Sequence, residues 1–67
     1  MSLNESLDHL SLAHKHCADV AYRIAEARYA LSPNHPAQDE ITRLTTITHQ
    51  LGHDLQALRL RMASGPA

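Results

Sequence analysis

Apolar residues recur at steps of three and four along this 67-residue chain, in two stretches of similar length that prolines separate. The first series is Leu10, Ala13, Cys17, Val20, Ile24, Ala27 and Leu31, and the second is Ala37, Ile41, Leu44, Thr48, Leu51, Leu55, Leu58 and Met62. Such steps place residues on one side of an α-helix, and a repeat of seven is typical of the seam between packed helices. The pattern predicts an all-α fold, an antiparallel coiled-coil-like hairpin of two helices.

The first helix is predicted to span residues 3–31. Ser2 and Glu5 have the spacing of a capping box, in which the serine hydroxyl accepts a backbone N–H and the glutamate reaches back. Pro33 disfavours helical geometry at the residue before it. Helix 1 is therefore expected to end near Leu31.

A short connection, residues 32–35, leads to a second helix predicted over residues 36–63. Pro36 fits the first turn of that helix, where its missing N–H is tolerated, and Gly65 followed by Pro66 is a stop signal. At 1.5 Å per residue both helices are about 40 Å long, which favours side-by-side packing. We therefore expect a single helical-hairpin domain over residues 1–67.

The size of the chain predicts self-association. A two-helix hairpin of this length buries too little surface to be stable alone. Trp and Phe are absent, and the single cysteine excludes a disulfide within the chain. We therefore expect additional surface to be buried in a homodimer of hairpins that closes into a four-helix bundle.

Charge and hydropathy narrow the functional classes. Six Lys and Arg oppose seven Asp and Glu, so the net charge of −1 counts against nucleic-acid binding without excluding it. The six histidines would make the chain positive in mild acid. No apolar stretch reaches the roughly 20 residues of a membrane span, and no export signal is recognisable. The sequence predicts a cytoplasmic protein with no membrane role.

A second stripe on helix 1 is the best candidate for a binding surface. It lies away from the leucine seam and consists of Ala18, Tyr22, Ala25 and Tyr29. Tyrosine is enriched at binding hot spots because it buries a large area at little entropic cost. The stripe is predicted to contact either a second copy of the chain or a different protein.

The histidines offer a weaker candidate. His49 and His53 stand four residues apart, a spacing that lets two imidazoles chelate one transition-metal ion. An antiparallel hairpin brings His14, His16 and Cys17 to the same height. However, His49 and His53 are expected to point outward, so surface histidines are favoured over a metal site. Neither a cofactor nor a native metal is predicted, and Cys17 is interpreted as a small buried hydrophobe rather than a nucleophile.

Gly52 is unusual in the middle of a predicted helix, where it costs about 1 kcal/mol relative to alanine. The favoured explanation is that its missing side chain makes room for His14 or for a closely crossing helix. A hinge used in partner binding is the alternative.

The sequence does not predict an enzyme. It has no glycine-rich phosphate loop, no HExxH and no Glu-x-x-His pair. The leading hypothesis is a small protein–protein interaction module, a regulatory inhibitor, anti-activator or adaptor that binds and occludes a partner protein. The anchors would be Tyr22 and Tyr29. A third hypothesis is transition-metal binding through the histidines.

The runner-up hypothesis rests on architecture. Two heptad series and a short loop over nearly the whole chain resemble the Rop-type helical hairpins, small plasmid proteins that dimerise into four-helix bundles and bind paired RNA loops. The resemblance implies a dimeric nucleic-acid-binding regulator. The basic residues do not form an evident stripe, and no sequence motif of that family carries over.

Overall fold

The computed structural model describes residues 2–65. In that range it contains two α-helices, α1 (Leu3–Ala30) and α2 (Gln38–Ala63), and no strand. The helices lie side by side and antiparallel in a rod of 50 × 18 × 14 Å. The predicted all-α hairpin is confirmed. Within the described residues, neither helix combines the length and the apolarity needed to cross a membrane.

The predicted N-cap of α1 is present. Ser2 has extended backbone geometry, and its hydroxyl accepts a hydrogen bond from the Glu5 N–H at 3.1 Å. The carbonyl of Ser2 accepts from the Ser6 N–H at 3.1 Å. The Glu5 N–H, one of the groups that a helix start leaves without an intrahelical partner, is thus satisfied, and the Ser6 N–H makes the first backbone bond of the helix. The helix ends at Ala30, and Leu31 already has extended geometry.

The connection consists of two tight turns. The His35 N–H donates to the Ser32 carbonyl, and the Gln38 N–H donates to the His35 carbonyl, both at 3.0 Å. The imidazole Nδ1 of His35 accepts from the Ala37 N–H at 3.0 Å. These turns continue past Pro36, so α2 begins two residues later than the sequence predicted.

Gln38 ties the two helices together beside the connection. Its side-chain amide nitrogen lies 3.1 Å from the carbonyl oxygens of Arg28 and Ser32 and 3.4 Å from that of Leu31. The last carbonyls of a helix have no partner within the helix. The first residue of α2 therefore caps the end of α1.

At its other end α2 closes with a glycine. The Ser64 N–H donates to the Leu60 carbonyl at 3.0 Å, and the Gly65 N–H donates to the Met62 carbonyl at 3.2 Å. Gly65 has a φ of 78°, a left-handed geometry that suits glycine. The predicted signal for the end of α2 is therefore present at Gly65. Pro66, the other residue of that signal, lies outside the described residues.

The core between the helices is very small. Among the described residues only Cys17 and Thr48 are buried, with 8% and 9% of their surface exposed. The Cys17 thiol donates to the Thr48 carbonyl at 3.3 Å, across the middle of the hairpin. Both residues belong to the predicted seam, and Cys17 is the buried group that the sequence indicated.

Other members of the predicted seam lie outside the contact between the helices. Val20, Ala27, Leu44 and Leu51 are exposed. Their apolar stripes are wider than the strip that one neighbouring helix can cover. The line of contact runs instead between Cys17 and Thr48, so these four residues lie along one side of it. The leucine seam is therefore only partly the seam of the hairpin.

Candidate interaction surfaces

One side of the hairpin carries a patch of large aliphatic side chains. We call the exposed residues Val20, Leu44, Ile47 and Leu51 the aliphatic face. The three α2 members follow one another at steps of three and four, which keeps them on one side of that helix. Because Cys17 lies against Thr48, Val20 is level with the interval between Leu44 and Ile47. The four side chains therefore form one patch across both helices.

Ile47 was absent from the predicted seam, and the aliphatic face was not recognised from the sequence. The signal was available, since Leu44, Ile47 and Leu51 repeat the i, i+3, i+7 spacing on the flank of the seam. A heptad register that is fitted to one neighbouring helix leaves out apolar residues on the flank of the seam, such as Ile47.

The opposite side of the hairpin contains a groove of about 350 Å³. It is lined by small and histidine side chains, namely His14, Cys17, Ala18, Ala21, Thr48, His49, Gly52, His53 and Gln56. Alanine and glycine leave the backbones of both helices close to the surface here.

Three histidines meet at this groove. His14 on α1 and His49 and His53 on α2 line it together with Cys17, so the height expected from the antiparallel register is found. His16 lies apart, with its Nδ1 3.9 Å from a carboxylate oxygen of Asp19. Among the described residues, no three His, Cys, Asp or Glu side chains are grouped to hold a metal ion.

Gly52 faces Cys17. A Cβ atom added to this glycine would lie 3.6 Å from the Cys17 sulfur, an ordinary van der Waals distance. The missing side chain of Gly52 therefore makes room beside Cys17 and not for His14. The effect of Gly52 is to deepen the groove beside the centre of the hairpin.

The tyrosine stripe, Ala18, Tyr22, Ala25 and Tyr29, follows the same side of α1. Ala18 lines the groove and Ala25 is half-buried. Tyr22 is 61% exposed and Tyr29 is 86% exposed. Tyr29 in particular is covered little by its own chain.

Each tyrosine has charged residues near it. The Arg23 guanidinium lies 5.8 Å from the centre of the Tyr22 ring, within the range of a cation–π contact. Tyr29 borders a second depression at the connection, which Arg28, Pro33 and Asp39 also line. The stripe thus extends the groove side of the hairpin as far as the loop.

The ion pairs of the described residues are exposed. Arg43 pairs with Glu40 one turn before it, and this contact holds the pKa of the Glu40 carboxyl below its ordinary value. The second pair is His16 with Asp19. None of these four residues lines the groove, and the residues that do line it include no Asp or Glu.

Two apolar surfaces thus lie on opposite sides of one thin hairpin. Comparison of the chain with protein-family models, with curated protein sequences and with solved structures finds no match.

Proposed function

We propose that this protein is a small non-enzymatic interaction module that pairs with a second copy through the aliphatic face and binds a partner protein on the groove side. Its function would be to occlude a surface of that partner, as regulatory inhibitors, anti-activators and adaptors do. The observation that carries the proposal is the presence of two separate apolar surfaces on a hairpin with almost no buried core.

The surface area of the chain supports pairing. A compact protein of this mass exposes about 4,200 Å², whereas the hairpin exposes 5253 Å². The excess, about 1,000 Å² against that reference, is close to the roughly 800 Å² that each partner buries in an interface of standard size. A second copy of the chain would therefore supply the core that the single hairpin lacks.

The aliphatic face is the better of the two surfaces for this role. Leu, Ile and Val at helical spacing are the residues that fill the interior of four-helix bundles. Two hairpins joined there would bury Val20, Leu44, Ile47 and Leu51 and form a bundle of four helices. The groove and the tyrosine stripe would remain on the outside of each hairpin.

The groove side has the features of a surface for a foreign helix. Its floor of Cys17, Ala21 and Gly52 admits close approach, and the exposed rings of Tyr22 and Tyr29 continue along the same side of α1 towards the connection. Helix-in-groove binding uses such an apolar channel with aromatic anchors at its edge. The residues that line the groove include no carboxylate, so acidic residues that flank the apolar face of such a helix would meet no like charge there.

The experiment is affinity capture from the source cells followed by direct binding of the purified partner. We expect the Tyr22→Ala, Tyr29→Ala double variant to lose the partner while its helicity and dimer mass stay unchanged. The matched control is Glu26→Ala, Lys15→Ala, which alters exposed α1 positions outside the stripe and should retain the partner. Loss of the dimer in the tyrosine variant would assign the stripe to self-association and contradict the proposal.

The same capture experiment distinguishes the interaction module from the nucleic-acid-binding and metal-binding hypotheses. Co-eluting RNA or DNA that salt releases, and that an Arg23→Gln, Arg28→Gln variant fails to retain, would favour the Rop-like hypothesis over this one. Metal that co-elutes stoichiometrically and is lost in His49→Ala, His53→Ala would favour metal binding. A co-eluting protein whose affinity depends on the tyrosines supports the interaction module.

A further inference from the structure

The middle of α2 is composed of residues that disfavour a helix. We call residues 41–52 the central segment, and Gly52 is its last residue. Six of its first eight residues are β-branched, namely Ile41, Thr42, Thr45, Thr46, Ile47 and Thr48. β-Branched side chains lose rotational freedom in a helix and are favoured in strands, and only proline disfavours a helix more than glycine does. The residues of the central segment thus oppose the helix that they form.

α1 has the opposite composition. It contains six alanines, no threonine and no glycine, and its β-branched residues are Val20 and Ile24 alone. Alanine has the highest helix propensity of all residues. The residues of α1 therefore favour its helix by themselves, whereas the central segment of α2 needs stabilising contacts with other parts of the protein.

The threonine hydroxyls of the central segment do not supply those contacts. The hydroxyls of Thr45, Thr46 and Thr48 donate to carbonyls four residues earlier in α2, at 2.9, 3.2 and 2.8 Å. Such bonds slightly destabilise a helix. Among the described residues, the only hydrogen bond from α1 to this segment is the one that the Cys17 thiol, a weak donor, makes with the Thr48 carbonyl.

The large apolar side chains of the central segment belong mostly to the aliphatic face. Leu44, Ile47 and Leu51 are exposed. Ile41 is half-buried, and Thr48 is the one buried residue of the segment. Helices in proteins are stabilised mainly by the packing of an apolar face. The surface that could stabilise the central segment is therefore the one that a second copy would cover.

We propose that the central segment becomes stably helical only when two copies pair through the aliphatic face, and that pairing thereby completes the groove. This inference rests on the proposed dimerisation. Thr48, His49 and Gly52 belong to the central segment and line the groove. A single hairpin keeps α1 helical but has only the α1 side of the groove in place. Pairing on one side of the molecule thus builds the binding site on the other.

Pairing and partner binding are consequently linked. A partner protein that needs the complete groove binds the dimer better than the single chain, and by reciprocity it strengthens the dimer by the same factor. The concentration of the chain therefore regulates binding, because a chain diluted below the dissociation constant of its dimer has an incomplete groove.

The single cysteine of the chain reports on the central segment. Cys17 is buried against Thr48 on the groove side, where pairing through the aliphatic face does not itself cover it. A thiol reagent reaches it readily only when the central segment opens. Labelling should be at least about tenfold slower above the dissociation constant of the dimer than below it. Hydrogen exchange should show the same concentration dependence in residues 41–52 and not in residues 17–28.

Helix propensity at exposed positions provides the decisive variants. Thr42 and Thr46 are exposed and are not members of the aliphatic face. Alanine in place of threonine favours a helix about threefold, so Thr42→Ala, Thr46→Ala should tighten the dimer by up to about 100-fold if both chains must order the segment. Sedimentation equilibrium measures the dissociation constant.

The matched control makes the opposite exchange on α1. Lys15 and Glu26 are exposed, and Lys15→Thr, Glu26→Thr leaves the net charge unchanged. Because α1 is helical with or without the second copy, this variant should change the dissociation constant by less than about twofold. An equally large change in the control would show that the whole chain orders on pairing, which contradicts an effect confined to the central segment.

The outcomes separate this inference from the proposed function. A tighter dimer in the threonine variant, together with concentration-dependent labelling of Cys17, supports the inference. A dimer whose dissociation constant does not respond to the threonine variant overturns it and leaves the interaction module standing. A chain that sediments as a monomer at every concentration overturns both.

Discussion

The two sides of this hairpin carry different kinds of side chain. The aliphatic face presents branched side chains of similar size, which suits packing against a copy of itself. The groove side presents alanine, glycine, threonine and histidine and, further along α1, two exposed tyrosines. These residues suit a partner protein better than a second copy of the same chain. Burial also differs, because the four members of the aliphatic face are exposed, whereas Cys17 and Thr48 in the groove are buried. The two sides thus differ in side-chain size and in how far their own chain covers them.

The largest effect is expected from a charge on the aliphatic face. Leu51→Glu should abolish the dimer, because burial of the exposed half of a leucine contributes about 1 kcal/mol per chain and a glutamate there must also be desolvated. Sedimentation equilibrium and helicity by circular dichroism would measure the change. Leu60→Glu is the matched control, since Leu60 is similarly exposed on the same helix but outside this face. Equal loss of the dimer in both variants would remove the distinction between the two sides.

Removal of both rings from the tyrosine stripe should weaken binding of the partner protein on the groove side and leave the dimer unchanged. Anchor residues at interfaces commonly contribute 2 kcal/mol or more, so Tyr22→Ala, Tyr29→Ala should weaken partner binding at least about 30-fold. The midpoint of thermal unfolding should change little, because the two rings are mostly exposed. Calorimetric titration with the captured partner measures the first effect and a melting curve the second. A large fall in the midpoint would show that the rings support the fold.

Gly52→Ala should move stability and binding in opposite directions. Alanine is favoured over glycine in a helix by about 1 kcal/mol, and its Cβ would meet the Cys17 sulfur at an ordinary distance. The free energy of unfolding should therefore rise by about that amount. A methyl group in the groove should at the same time lower the affinity for the partner protein by a few-fold. A variant that is more stable and binds equally well would place the partner outside the groove.

The smallest effect concerns the Glu40–Arg43 pair. Arg43 lowers the pKa of Glu40, so the pair stabilises the folded chain above the ordinary glutamate value of about 4.3 and loses this contribution as the pH falls through the folded pKa. Both side chains are exposed, so Glu40→Gln should leave the melting midpoint at pH 7 nearly unchanged. Melting curves at pH 7 and pH 3 should differ slightly less in the variant than in the original chain. A marked loss at pH 7 would show that Glu40 takes part in a stronger contact.

Local signals in the sequence predicted the fold well. Ser2 caps α1, the prolines mark the connection, and Gly65 closes α2, because each acts through its own backbone geometry or that of a near neighbour. The start of α2 was displaced because the His35 side chain and the following turn hold Pro36 outside the helix. Capping signals determine helix ends only to within a turn.

The division of the apolar residues could not be predicted in the same way. A stripe that includes Val20, Leu44 and Leu51 is equally compatible with one helix neighbour or with two. The choice depends on the rotation of α1 against α2, which the Cys17–Thr48 contact sets in the structure. For the same reason the groove was missed, although the tyrosine stripe beside it was recognised. Rotation about the helix axis is a property of packing rather than of the sequence repeat.

The most direct measurement compares both sides of the hairpin in one sample. A soluble paramagnetic agent broadens the NMR signals of every side chain it can approach. If the aliphatic face is the contact between two copies, the methyl signals of Val20, Leu44, Ile47 and Leu51 should persist at concentrations that erase the ring signals of Tyr22 and Tyr29. Loss of the methyl signals together with the ring signals, or protection of the tyrosines instead, would contradict the assignment of the two surfaces.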